Sequence, residues 1–129
     1  MKANELMIGD WVYCEGHPTP ENVTIQTITK DGVWFNGSHY EGATSYDHIF
    51  PILLTPEILE KNGFVKQGFP GWEIYTEDFL ILWRNDYPDV LDIRCFNAAY
   101  GSFHRSHIGY VHELQHALRL CGIDKEIVL

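Results

Sequence analysis

The sequence predicts an α+β protein in which a β-rich amino-terminal half precedes a half built as helix, antiparallel meander and helix. Three observations predict this class: short β-type runs between turn formers as far as residue 52, one well-capped helical segment after them, and an amphipathic segment near the carboxyl end. We therefore expect a β-rich lobe over residues 1–52 and an α+β lobe over residues 53–129. With 129 residues, 45% of them hydrophobic, the chain has enough apolar material for a core.

The β-rich lobe is predicted from β-type runs at residues 10–14, 23–29, 33–36 and 46–52. Asp31-Gly32 lies between two of these runs, and Asp-Gly suits a tight hairpin because it tolerates positive φ angles. The longest loop is expected at residues 15–22, which include two prolines. Several short strands within about fifty residues are typical of a small curved sheet. The expectation is an SH3-like barrel.

The first helix is the clearest local signal in the chain. Thr55 can accept a hydrogen bond from a free amide of the first turn, and Pro56 suits the first helical position. Gly63 offers the left-handed conformation that ends a helix. The prediction is a two-turn helix that buries Ile58 and Leu59 and depends on a sheet for stability, because so short a helix is unstable alone.

A meander is predicted next, with strands at residues 72–76, 79–84 and 90–96 and a fourth near residues 100–105. Residues 79–83 are apolar at every position, so this strand is expected at the centre and covered on both faces. The closing helix is predicted at residues 110–121. At about 100° per residue it carries one apolar stripe, formed by Tyr110, Val111, Leu114, Ala117, Leu118 and Cys121.

The closing helix also contains His112-Glu113-x-x-His116, which matches the zinc-peptidase pattern H-E-x-x-H. Histidines four residues apart can share one zinc ion, and Glu113 would be the general base that activates a bound water. A helical projection places both histidines opposite the apolar stripe, facing water. A catalytic zinc needs a third protein ligand, and no pattern here requires one.

A third ligand would have to be His104 or His107 from upstream, or Asp124 or Glu126 from the tail. We therefore expect no catalytic residue, no metal ligand and no cofactor. The alternative is a minimal zinc-dependent hydrolase or peptidase that uses His112, Glu113 and His116, with Zn as its cofactor.

The charge of the chain limits its partners. Nine basic against eighteen acidic residues give a formal net charge of −9, which disfavours phosphate backbones and anionic membrane surfaces.

The three cysteines are odd in number and far apart in the sequence, so buried, reduced thiols are expected. The first residues lack the apolar core of a secretory signal, and the location predicted is cytoplasmic. The acidic charge also fits a further alternative function, that of an acidic inhibitor of a nucleic-acid-binding protein.

Three blocks carry a resemblance to known sequences: M-K-A-N-E-L-M-I-G-D-W-V at the start, P-I-L-L-T-P-E-I-L-E-K-N-G-F in the middle, and Y-V-H-E-L-Q-H-A-L-R-L-C-G near the end. Together they resemble a group of short uncharacterised proteins from gut-anaerobe genomes and their mobile elements. The resemblance implies a β-barrel-like first part, the middle helix, a meander and a closing helix, and it implies no activity.

The function predicted from the sequence is a non-enzymatic interaction module whose partner is another protein or a second copy of the chain. The predicted contact residues are four aromatic side chains expected to be exposed: Tyr40, Tyr46, Tyr87 and Tyr100. Nucleic acid and membrane are not expected as partners.

Overall fold

A computed structural model of the chain describes residues 1–15, 20–37, 43–67, 71–84, 89–96 and 102–129. Within these ranges it contains α-helices and two antiparallel sheets, which confirms the α+β class. The chain forms two compact units. Unit 1 comprises Met1–Leu53 with Tyr110–His112, and unit 2 comprises Leu54–Gly109 with Glu113–Leu129. The sequence placed its boundary between residues 52 and 53 and did not assign the start of the last helix to the first unit.

Unit 1 contains a four-stranded antiparallel sheet in the order β3-β2-β1-β4. Its strands are β1 (Trp11–Cys14), β2 (Glu21–Ile28), β3 (Val33–Phe35) and β4 (Ile49–Phe50). A 3₁₀ turn at Tyr46–His48 occupies the start of the predicted fourth strand, because Ser45 accepts a hydrogen bond from the Asp47 amide and caps the turn. In the described ranges β3 and β4 do not pair with each other, so this sheet is open. The SH3-like barrel stays a prediction.

Alternation along these strands builds the core of unit 1. Val12 and Cys14 of β1 are buried and pack with Ile25 of β2, with Val33 and Phe35 of β3, with Ile49 of β4 and with Leu6 from the amino-terminal segment. Because one face of these strands is buried in the core, apolar and polar residues alternate along their sequence.

The turn between β2 and β3 differs from its predicted form. Neither Asp31 nor Gly32 has a positive φ angle. Instead, Thr29 Oγ1 donates to the Gly32 carbonyl at 2.8 Å and accepts from the Gly32 amide at 3.2 Å. Glycine is required at position 32 for space, since a Cβ there would lie 2.1 Å from the Thr44 carbonyl oxygen. The expectation of a positive-φ Asp-Gly hairpin was therefore wrong.

Unit 2 is built on a five-stranded antiparallel meander in the order β5-β6-β7-β8-β9. The elements are α1 (Pro56–Lys61), β5 (Val65–Gln67), β6 (Gly71–Tyr75), β7 (Phe79–Arg84), β8 (Val90–Cys95), β9 (Ser102–Ser106) and α2 (Val111–Leu120), whose first two residues belong to unit 1. The predicted meander is confirmed, with β7 at its centre. Strand β5 was not predicted, because its three residues are exposed and show no burial pattern.

The first helix forms as its sequence predicts. Thr55 Oγ1 accepts from the Ile58 amide at 3.3 Å, Gly63 has a φ of 88°, and the Phe64 amide donates to the Leu59 carbonyl at 3.0 Å. Leu59 and Phe64 are buried, while Ile58 is half-buried. The capping residues thus fix both ends of α1.

The meander has two unlike faces, which we call the inner face and the outer face. Register and alternation place on the inner face the buried residues Trp72, Ile81, Trp83, Leu91 and Ile93. The outer face carries the side chains at positions 73, 75, 80, 82, 84, 90, 92, 94 and 105. Leu80 and Leu82 on it are only half-buried, so the prediction that β7 is covered on both sides was wrong. Neither described helix has the length and apolar character needed to cross a membrane.

Candidate functional site

The first candidate site is the start of α2, where the H-E-x-x-H pattern lies. The Gly109 amide donates to Glu113 Oε1 at 3.2 Å. Glu113 is the third helical residue, and a carboxylate there satisfies a free amide and favours the positive end of the helix dipole. The local sequence therefore gives Glu113 a structural role in starting α2.

His112 does not face water. Its side chain is 7% exposed, its Nδ1 atom is buried, and its ring stacks on Tyr110 with centroids 6.0 Å apart. The projection that placed both histidines opposite the buried stripe was wrong for this residue, because it counted only apolar residue types as buried. Gln115 is buried as well. The buried surface of α2 is therefore wider than its apolar stripe.

His116 lies one turn further along α2 and is half-buried. It lines a groove of about 260 Å³ in unit 2, which we call the histidine groove. The other lining residues are His104, Ser106, His107, Ile108, Glu113, Ala117 and Leu120. His104 Nε2 lies 3.0 Å from Ser106 Oγ, and His107 Nδ1 lies 3.2 Å from the Asp89 carbonyl oxygen. The two upstream histidines considered as third ligands thus lie beside Glu113 and His116, whereas His112 is not part of the groove.

The donors around the groove do not fit a zinc ion. Among the residues that the structure describes, no three His, Cys, Asp or Glu side chains are grouped so that they could hold a metal ion. A catalytic zinc takes three protein ligands at about 2.0–2.3 Å, and Glu113 is already bonded to a backbone amide.

The second candidate site is the outer face of the meander. Tyr75 is 70% exposed and Phe96, which follows β8, is 47% exposed. Their rings lie 6.2 Å apart at 54°, a tilted arrangement within the range of favourable aromatic pairs. Leu80, which pairs with Tyr75, and Leu82 add half-buried aliphatic surface beside them. The outer face therefore presents an exposed aromatic and aliphatic surface on a rigid sheet.

Arginines accompany these apolar groups. The sequence contains four arginines, and Arg84, Arg94 and Arg105 all lie on the outer face, because β7, β8 and β9 bring them there in register. Arg84 and Arg94 are exposed. The acidic groups on this face are Glu73 and Asp92.

Asp92 and Arg105 form a paired cross-strand contact. Arg105 Nε donates to Asp92 Oδ1 at 2.7 Å, and Nη2 donates to Oδ2 at 3.2 Å. These hydrogen bonds and the charge of Asp92 raise the pKa of the Arg105 guanidinium. The pairing neutralises the buried Asp92 carboxylate with one exposed cation and fixes the register of β8 against β9.

The aromatic contact residues differ from those predicted. Tyr46 is half-buried and its hydroxyl donates to the Thr29 carbonyl oxygen. Tyr40, Tyr87 and Tyr100 lie outside the described residues. Tyr75 and Phe96 were missed, although a signal was present: Tyr75 occupies an outward position of a strand whose inward neighbours are apolar.

Comparison with known proteins gives no relative from which a role could be transferred. No family model matches the chain, and neither a curated protein nor a solved structure matches it.

Proposed function

We propose that this protein is a non-enzymatic protein-interaction module that binds its partner through the outer face of the meander. The observation that carries the proposal is the contact between the exposed rings of Tyr75 and Phe96, on a face that also presents Leu80 and Leu82. Large exposed aromatic groups on a rigid element are typical of binding surfaces. Tyrosine and arginine are also the residue types most enriched where interfaces gain most of their energy.

The charge of the outer face supports a partner of particular chemistry. The chain has a net charge of −9, yet this face carries Arg84, Arg94 and Arg105 against Glu73 and Asp92. We therefore propose a protein partner that presents aliphatic side chains with carboxylates beside them. The aliphatic groups would pack on the aromatic pair, and the carboxylates would take bidentate hydrogen bonds from guanidinium groups.

Two other partner classes are not part of the proposal. Arginine with exposed aromatic rings on a sheet can also bind single-stranded nucleic acid. A phosphate backbone carries a charge at every nucleotide, however, so it extends past the local arginines and meets the rest of a chain whose net charge is −9. The same repulsion disfavours anionic membrane surfaces. We further propose a cytoplasmic location, supported by three cysteines that are all free.

The test is selection of binding peptides from a random display library on the full-length protein, followed by affinity measurement. We expect selected peptides to combine aliphatic and acidic residues. The double variant Tyr75→Ser, Phe96→Ser should weaken their binding by about 30-fold, since loss of an aromatic pair that acts as one hot spot costs about 2 kcal/mol. Arg94→Glu should weaken it further by repulsion.

The matched controls lie in unit 1. Phe50 is an aromatic side chain exposed to a similar degree as Phe96, and Lys30 is an exposed cation. Phe50→Ser and Lys30→Glu should leave peptide affinity within about twofold of wild type. Equal affinity of the Tyr75/Phe96 variant and wild type would reject the proposal. So would tighter binding of a fifteen-nucleotide oligothymidine than of any selected peptide, lost in the same variant, which would favour a nucleic-acid surface.

The second candidate function is the zinc-dependent hydrolase predicted from the H-E-x-x-H pattern. One observation favours it: Glu113 and His116 share the histidine groove with His104 and His107. The bond from the Gly109 amide to Glu113 and the burial of His112 count against it. Elemental analysis of the zinc content of the purified protein tests the hydrolase.

A further inference from the structure

Two thiols that are 26 positions apart in the sequence meet in unit 2. Cys95 is the last residue of β8, and Cys121 directly follows α2. Cys95 Sγ donates to the Cys121 carbonyl oxygen at 3.7 Å, which places the side chain of one cysteine against the backbone of the other. Both side chains are half-buried, whereas Cys14 is buried in the core of unit 1. The expectation that all three thiols are buried was therefore wrong for this pair.

The pair lines a cavity of unit 2 that has a volume of about 790 Å³ and that we call the cysteine cavity. Its wall combines apolar residues such as Ile74, Phe79 and Ile123 with charged side chains from the segment that follows α2. A cavity of this volume admits a small organic molecule. It therefore gives a solute of the size of hydrogen peroxide direct access to both sulfur atoms.

We propose that Cys95 and Cys121 are a modification site, at which hydrogen peroxide converts the two thiols into an intramolecular disulfide. In the first step one sulfur attacks a peroxide oxygen, the O–O bond breaks, and a sulfenic acid and one water form. In the second step the other sulfur attacks the sulfenic sulfur, the S–O bond breaks, and a second water leaves with the remaining thiol proton. Two thiols lose two electrons in total, and one peroxide is reduced to two waters.

The order of attack follows from the surroundings of the two sulfurs. Burial raises the pKa of the Cys121 thiol, and the neighbouring Cys95 raises it further. Because the thiolate is the nucleophile, the raised pKa of Cys121 disfavours this residue as the first to attack peroxide. Cys95 is therefore the residue that becomes the sulfenic acid, and Cys121 is the one that resolves it.

Both cysteines lie at the ends of secondary-structure elements. A disulfide needs a sulfur–sulfur distance of about 2.05 Å and Cα atoms about 4.4–6.8 Å apart. Cys121 lies where α2 ends, with Gly122 at a φ of 71° and the Ile123 amide bonded to the Leu118 carbonyl at 2.9 Å. Cys95 lies at the end of β8. Closing the bond therefore moves the ends of two elements and leaves the inner face of the meander packed.

The test uses the full-length reduced protein. It is treated with one and with five equivalents of hydrogen peroxide at pH 7.5, quenched with N-ethylmaleimide in denaturant and examined by intact mass and peptide mapping. We expect a loss of 2 Da before alkylation, a fall from three maleimide adducts to one, and a single crosslinked pair of peptides containing Cys95 and Cys121. The remaining adduct should be on Cys14. The disulfide should also raise the melting temperature by about 5 °C.

Variants distinguish this site from general oxidation. Cys14→Ser should still lose 2 Da, at an unchanged rate. In Cys121→Ser the reaction should stop at a sulfenic acid on Cys95 that dimedone traps, and in Cys95→Ser peroxide consumption should fall at least tenfold. Three adducts after five equivalents of peroxide would overturn the proposal. Crosslinks between chains, or sulfinic acid on Cys95 with no loss of 2 Da in the wild type, would overturn it equally.

Discussion

Replacing Asn62 by alanine should destabilise unit 2 by about 2 kcal/mol, although the residue lies just past the end of a helix. Its side chain binds the backbone of the carboxyl-terminal segment. Asn62 follows the last residue of α1, and its side chain is 6% exposed. Nδ2 donates to the Val128 carbonyl at 2.7 Å and to the Ile58 carbonyl at 2.8 Å, and Oδ1 accepts from the Val128 amide at 2.8 Å. One amide group thus holds the carboxyl-terminal segment against the end of the helix.

The magnitude follows from these three bonds. A neutral hydrogen bond contributes about 1 kcal/mol net, and a buried polar group left without its partner costs more. The Ile58 carbonyl also accepts from the Asn62 backbone amide at 3.2 Å, so the loss of its side-chain donor costs little. The two bonds to Val128 account for most of the effect, which gives about 2 kcal/mol. Loosening of the buried Ile127 beside them acts in the same direction.

Urea unfolding measures the effect. The experiment is made in a Trp11→Phe, Trp34→Phe background, so that fluorescence reports only Trp72 and Trp83 of unit 2. With a slope of about 2 kcal/mol per molar urea, the midpoint should fall by about 1 M.

The matched control for this change is Asn36→Ala. Asn36 is an exposed asparagine of unit 1, and its Nδ2 donates to Thr24 Oγ1 at 3.0 Å. An exposed side chain exchanges such a bond for one to water, so this variant should leave the stability of unit 2 unchanged. A midpoint for Asn62→Ala within 0.2 M (about 0.4 kcal/mol) of its parent would refute the reasoning.

Further predictions concern spacing, pH and metal. Gly32→Ala should destabilise unit 1 in thermal unfolding, because its Cβ would meet the Thr44 carbonyl oxygen at 2.1 Å, whereas Gly109→Ala, which meets nothing within 4 Å, should be nearly neutral. Burial raises the pKa of the Cys121 thiol, so above the pKa of an unfolded cysteine the folded chain keeps a proton that the unfolded chain loses. The free energy of unfolding should therefore fall as the pH rises above about 8.5. In a melting series from pH 7 to 10, Cys121→Ser should lack this dependence. Elemental analysis of untagged protein purified without added metal should find well under one zinc per chain. A full equivalent that is lost in His116→Ala, whose side chain lines the histidine groove, would instead favour the hydrolase.

Features that depend on a few neighbouring residues could be predicted from the sequence. Thr55, Pro56 and Gly63 determine where α1 begins and ends through hydrogen bonds within the helix and through one left-handed glycine. The meander followed in the same way from alternation and turn residues. Strand β5 was not predictable on these grounds, since it is paired by β6 and its own side chains are exposed.

The burial of His112 was not predictable for a different reason. Helical periodicity finds one apolar stripe, and it assumes that polar residue types face water. In α2 both His112 and Gln115 are buried, and the helix contributes residues to both units. Motif matching has the same weakness, because the letters His-Glu-x-x-His do not reveal that Glu113 is bonded to the Gly109 amide.

The outer face shows why charge read along a chain can mislead. Arg84, Arg94 and Arg105 are about ten residues apart, so in the sequence they look scattered. A meander folds the chain back at similar intervals, and the register of β7, β8 and β9 brings all three to one face. The net charge of −9 influences how a charged partner approaches the protein. At physiological salt this influence extends only about 8 Å from the surface. At contact the local arginines and the Tyr75–Phe96 pair determine what binds. An acidic protein can therefore recognise an acidic partner.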